Sequence, residues 1–280
     1  MQDTTFNELA DLALRQTGQA FERSKAYLME ARLATICRRE SFAGLDDLAH
    51  CLKQRPNPRF EQEVAAALTG KATHFFKERE TLEQVIAHAL PARLKQSTNG
   101  RLRVWCAGVA TGQEAWSLAI RLSELVDQPL GKAHVEIVAT DVSLPALQIA
   151  QSGTYGHYAV QTGLSIARLM AHFDRQDTGD WIIKPGMRET VSFKRQNLME
   201  SANMLGQFDV ILCRNVLSKM APVMAKQAVE TLAGQLLPGG FIFLSQDEDI
   251  HPIQPTLKPS RDMRGAWVPV ERDESAEEAA

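Results

Sequence analysis

Residues 104–120, VWCAGVATGQEAWSLAI, constrain the fold more than any other stretch of the chain. An apolar strand runs into a glycine turn and then into an amphipathic helix, the opening of a βαβ unit. Gly108 and Gly112 are read as removing side chains where a ligand would lie against the backbone. The following helix aims its amide dipoles at the same place. A second apolar strand, 135–139, leads into Thr140-Asp141. A carboxylate at the tip of the second strand of such a unit is placed to accept ribose hydroxyls. The first expectation is therefore a nucleotide-like cofactor site.

The spacing excludes two common cofactors. A nicotinamide fingerprint needs G-x-G-x-x-G with an acid about 20 residues on. Here the glycines are four apart, no third follows, and Asp141 lies well beyond that distance. No G-x-x-x-x-G-K-[ST] occurs, so there is no P-loop. Asp141 has a second reading, as a cap for the helix that begins just after it.

Three further motifs stand in order around the turn: THFFKE at 73–78, DVILCRNV at 209–216 and LPGG at 237–240. With AGVATGQEAWSLA and ATD, this series resembles the chemotaxis receptor (CheR-type) methyltransferases over about residues 6–248. The resemblance implies an α/β, Rossmann-like S-adenosylmethionine-dependent methyltransferase fold. A small antiparallel β insertion and a preceding all-α N-terminal domain belong to it. It also implies protein-glutamate O-methylation of chemoreceptor cytoplasmic helices, with S-adenosylmethionine as donor and S-adenosylhomocysteine as product. A glutamate carboxylate is already ionised at neutral pH, with a reference pKa of about 4.3. No general base is needed, and alignment supplies most of the rate.

Carried over residue by residue, the cofactor set is Lys71, Thr73, Lys77, Gly108, Gly112, Gln113, Asp141, Asn197, Leu198, Asn215 and Val216. Lys77 and Lys219 are the catalytic candidates. Several of these positions depart from the family pattern. Lys77 replaces an arginine, keeping its charge but not its planar fork. Lys71 replaces an asparagine, Ala115-Trp116 replace Pro-Tyr, and Lys219 replaces a tyrosine. Gln113 takes the place of an acid at the helix start, next to Glu114. The departures gather around methyl transfer, whereas the glycine turn and Asp141 are intact. An alternative to the active enzyme is thus a signalling adapter that binds the cofactor and transfers little or no methyl.

Apolar positions at helical spacing predict an α-helical domain over 1–70, broken near QRPNPR at 54–59, and the resemblance implies that it is a docking domain. A methyltransferase domain is expected over 71–250, with the β-subdomain at about 156–195. There, 181–183 and 190–193 read as short strands flanking a Pro-Gly turn. The segment 251–280, ending DESAEEAA, reads as a disordered tail. Between Arg15 and Arg39 there are six basic residues and two acids. Lys25, Arg32 and Arg39 fall seven apart, returning to nearly one helix face. Charge alone leaves that stripe open between a solvated face and a docking face, and the resemblance assigns it to the receptor. Some family members also grip a receptor tail through the β-subdomain. The short connection at 174–180 implies a weak or absent grip here.

A net charge of −3 gives no case for nucleic-acid binding, and CRNV is not the N-P-P-Y type of amino-group methylation. No run approaches the roughly 18 apolar residues of a membrane span, and no leader opens the chain. A cytoplasmic monomer without membrane insertion is expected. Cys37, Cys51, Cys106 and Cys213 form no C-x-x-C pair and the histidines show no ligand spacing, so no metal is implied.

Overall fold

The structure, a computed structural model, describes residues 1–70, 73–245, 248, 250 and 255–270. The N-terminal unit has four helices: α1 (Asp3–Thr17), α2 (Ala26–Arg39), α3 (Leu45–Gln54) and α4 (Pro58–Leu68). Their apolar stripes close on one core that includes Leu9, Met29, Leu33, Leu48 and Leu68. QRPNPR breaks the helices because Asn57 caps α4, accepting from the amides of Arg59 and Phe60, with Pro58 in the first turn.

After the THFFKE motif, α5 (Arg79–Gln84) passes through a π turn, Val85–Ala89, into α6 (Leu90–Gln96). Strand and helix then alternate: β1 (Arg101–Ala107), α7 (Gln113–Ser123), α8 (Pro129–Lys132), β2 (His134–Asp141) and α9 (Leu144–Ser152). The inserted segment holds β3 (Thr154–Tyr155), α10 (His157–Gln161), α11 (Ile166–His172), β4 (Phe173–Arg175), β5 (Trp181–Ile183) and α12 (Pro185–Arg188). The chain closes with β6 (Val191–Arg195), β7 (Phe208–Leu212), α13 (Pro222–Gly234), β8 (Leu236–Phe243), β9 (Leu257–Pro259) and β10 (Ala266–Pro269).

The main sheet runs β6-β2-β1-β7-β8-β10-β9. Its first five strands are parallel, and the last two pair antiparallel. The strands are apolar on both faces because helices cover both, and two large cores form, one on each side. The first crossover places β2 beside β1, and the later return places β7 on its other flank. The carboxyl ends of β1 and β7 therefore flank a topological switch point, where such sheets bind ligands.

Two expectations need correction. Residues 191–195 do not belong to the small antiparallel sheet; they pair parallel with β2, Val191 opposite Ile137. The small sheet is β3-β5-β4, and Pro185-Gly186 open the short helix α12 rather than a hairpin. Burial decides this: Val191 is covered by the main core, and the Phe193 ring packs 5.3 Å from Trp116. The tail reading also fails for 255–270, where β9 and β10 extend the main sheet. Leu257, Met263, Ala266 and Trp267 are all buried, apolar surface enough to hold two short strands. Residues 251–254 and 271–280 lie outside the described residues.

Candidate active site

Four carboxyl-terminal strand ends meet above the switch point, and the loops after them wall a crevice enclosing about 910 Å³, part of it open to solvent. After β1, the amides of Gly108 and Val109 both donate to the Thr140 carbonyl, at 2.8 and 3.0 Å. This pins the turn against the end of β2. Gly108 has φ +73°, and a Cβ there would stand 2.5 Å from Val216 Cγ2. The backbone lies bare at the wall because nothing larger fits.

Asp141, buried at the end of β2, accepts from Ala110 N through Oδ2 and from Ser143 N through Oδ1, each at 2.8 Å. The cap of α9 is Ser143, whose hydroxyl accepts from Ala146 N. The carboxylate of Asp141 is therefore fixed at the crevice wall and does not serve as the helix cap.

The loop after β7 is tied from three sides. Arg214, almost wholly buried, donates through Nε to Glu114 Oε1 at 2.5 Å and through Nη2 to the Lys77 carbonyl at 3.0 Å. Burial opposes its charge, but Glu114 and Glu78 together hold the guanidinium above its ordinary pKa. Asn215, at φ +59°, receives Lys77 Nζ on its Oδ1 at 2.9 Å. Its Nδ2 donates to Glu78 Oε1 at 2.8 Å and to Ser245 Oγ at 2.7 Å. Glu248 accepts from the amides of Asn215, Ser218 and Ser245. THFFKE and CRNV, far apart in sequence, form one hydrogen-bonded unit.

Of the expected residues, Thr73, Lys77, Gly108, Asp141, Asn197, Leu198, Asn215, Val216 and Lys219 line the crevice together. Gly112 and Gln113 do not. A Cβ on Gly112 would stand 2.6 Å from that of Ala150, so this glycine permits α7 to pack on α9. Gln113 is buried and its Oε1 accepts from Thr111 Oγ1 at 2.7 Å; Glu114 reaches the crevice instead. Lys71 lies outside the described residues.

Four residues that no motif marked, Thr17, Gln19, Thr69 and Gly70, close the crevice from the helical domain. That domain is docked by backbone: Ala20 N donates to the Lys219 carbonyl and Ala221 N to the Gly18 carbonyl. Asn197 Nδ2 also donates to the Gln16 carbonyl at 2.6 Å.

The basic row on α2 is not a stripe of open cations. Lys25 precedes the helix and pairs with Glu22 at 3.3 Å. Arg39 is engaged by Glu40 and by both oxygens of Glu63. Arg32 turns inward, donating to the Leu68 carbonyl at the end of α4. Cys106 and Cys213 are fully buried free thiols, and burial pushes both pKa values well up. Among the described residues no helix is long and apolar enough to cross a membrane.

Residues 71–264 match the family described as the SAM-binding domain of CheR methyltransferase, and residues 4–69 match its all-alpha domain. The chain is 34% identical to chemotaxis protein methyltransferase 1 of Pseudomonas aeruginosa, over 87% of this chain and 90% of that one. It is 31% identical to chemotaxis protein methyltransferase Cher2 of Pseudomonas putida, over 81% and 84%. The identity is 30% to chemotaxis protein methyltransferase 1 of Vibrio cholerae, over 89% and 90%.

Proposed function

The chain belongs to the CheR methyltransferase family, and from that premise we propose that it methylates glutamate side chains on chemoreceptor cytoplasmic helices, acting as a cytoplasmic monomer. It is an S-adenosylmethionine-dependent methyltransferase of chemotaxis. The crevice fits that cofactor: its wall at Gly108 is bare backbone, and a buried carboxylate is held at the tip of β2. In this reading Asp141 holds the ribose hydroxyls and the backbone of 108–110 lies along the nucleoside. Asn197, Leu198 and Val216 flank it, while Thr73, Lys77, Glu114 and Asn215 surround the amino-acid end.

When bound, the cofactor would supply an electrophilic methyl on a sulfonium sulfur, open to attack by a carboxylate oxygen, with S-adenosylhomocysteine as the leaving group. The residues of the chain position and shield. Lys77, oriented by Asn215, and Lys219 place two positive groups on the crevice wall to orient an incoming carboxylate. The helical domain covers one side and limits water there. The observation that carries the reading is the convergence of the Gly108 turn, Asp141, Lys77 and Lys219 on one crevice. Lysine at the arginine position still reaches that crevice, so no observation favours the adapter.

The test is transfer of a labelled methyl from S-adenosylmethionine to a receptor cytoplasmic fragment. Base-labile, volatile methanol is expected. Retained S-adenosylhomocysteine binding without volatile label would overturn the assignment.

A further inference from the structure

Lys77 stands between two residues in the left-handed region that favours glycine, Phe76 at φ +53° and Glu78 at φ +49°. Such backbone persists only where its surroundings enforce it. Here Phe76 N donates to Ser117 Oγ at 2.9 Å, and the carbonyls of Lys77 and Glu78 accept from Arg214 Nη2 and Nη1. Glu78, next in sequence, meets the Lys77 side chain through Asn215 rather than directly.

That bridge has one polarity. An ammonium can only donate and a carboxylate can only accept. Asn215 therefore presents Oδ1 to Lys77 Nζ at 2.9 Å and Nδ2 to Glu78 Oε1 at 2.8 Å. The second Nδ2 hydrogen goes to Ser245 Oγ at 2.7 Å, and that hydroxyl in turn has Glu78 Oε1 as acceptor at 3.4 Å. The Asn215 main chain is fixed too, its amide shared between Ser245 Oγ and Glu248 Oε2. Turning the side-chain amide over would set a carbonyl oxygen against a carboxylate and an NH2 group against an ammonium, two unmet contacts at once. The other Glu78 oxygen faces Arg214 Nη1 at 3.4 Å, so the carboxylate is itself anchored.

We propose that Glu78 is a positioning residue: by fixing which end of the Asn215 amide faces Lys77, its carboxylate sets where the Lys77 ammonium stands on the crevice wall. The inference rests on the methyltransferase reading above, in which Lys77 orients the incoming carboxylate. An amide placed between acid and cation orients the ammonium and leaves its other hydrogens for substrate. In Glu78→Gln the new carbonyl oxygen turns to Arg214 and the new NH2 to Asn215. The Asn215 amide then turns over and meets Lys77 donor to donor.

The test reads Lys77 in the full chain by trace acetylation and peptide mass spectrometry, with melting midpoints to establish folding. Acetylation of Lys77 should be about fivefold faster in Glu78→Gln than in wild type, the scale of one lost hydrogen bond. Lys219, on the same crevice wall, should stay within about twofold of its wild-type rate. Adding Asn215→Asp, which offers acceptor oxygens to both neighbours, should return Lys77 to within about twofold of wild type. Should Glu78→Gln fail to fold, Ser245→Ala withdraws the other acceptor of Nδ2 and should speed Lys77 about twofold. An unchanged Lys77 rate in the folded variant overturns the proposal, and so does an equal rise at Lys219, which would mean that the wall loosens as a whole. Turnover gives a second reading. At saturating S-adenosylmethionine, Glu78→Gln should lower kcat/KM for the receptor fragment about tenfold, but less than about twofold in a Lys77→Met background. The same loss in both backgrounds assigns Glu78 a structural part only and overturns the proposal. A wild type that transfers no labelled methyl fails the methyltransferase reading, and the acetylation rates still decide whether Glu78 holds Lys77.

Discussion

The ammonium of Lys219 sits below the ordinary lysine range. Burial is the main cause, repulsion from Lys77 and Arg32 adds to it, and Glu248 and Asp141 pull the other way. Its charge is present below the depressed pKa and is lost as pH rises through it. If that charge orients the substrate carboxylate, kcat/KM for the receptor should fall on the alkaline side at a lower pH than an ordinary lysine would give. Lys219→Arg should move that limb upward, and an unmoved limb would contradict the role. At this scale the sequence was legible where the end of an apolar strand fixes a residue's place at the carboxyl edge of the sheet. Asp141 at a strand tip and Gly108 in a turn both stand at the crevice. It was illegible where partners come from elsewhere: the role of Arg214 depends on Glu78 and Glu114, and nothing in CRNV names them.

Helices and strands follow the apolar periods closely because both faces of the parallel strands are covered. The helix expected just after Asp141 is α9, its start set by Ser143 and its end by Gly153. Pairing was less legible than existence. A strand's sequence says that it is buried but not against which neighbour, so β6 was placed in the wrong sheet. β9 and β10 are too short for a period and were masked by a proline-rich and acidic surrounding. Packing between elements gives a test at Gly112. Its φ of +89° and the 2.6 Å approach to Ala150 penalise a side chain twice. Gly112→Ala should lose about 1–2 kcal/mol for the backbone and about 1–3 kcal/mol for overpacking, read by chemical denaturation. Cofactor affinity of the folded fraction should hold, since Gly112 is not at the crevice. A variant as stable as wild type would refute this account of α7 and α9.

On the scale of the whole molecule, the crevice is completed by two domains that the sequence presents as separate. Thr17, Gln19, Thr69 and Gly70 carry no motif, and they reach the crevice only because backbone bonds from 18–20 to 219–221 dock the helical domain there. The same docking brings Arg32 to Lys219, while the basic row of α2 is engaged within its own domain, Arg39 by Glu40 and Glu63. What binds at the centre is the claim on which all else depends. Calorimetric titration of S-adenosylhomocysteine tests it most directly, in wild type and in Asp141→Ala, with folding of both established by melting. A saturable one-to-one heat in wild type, abolished by the substitution, is the predicted result. No heat in wild type, or the same affinity in the variant, would contradict it.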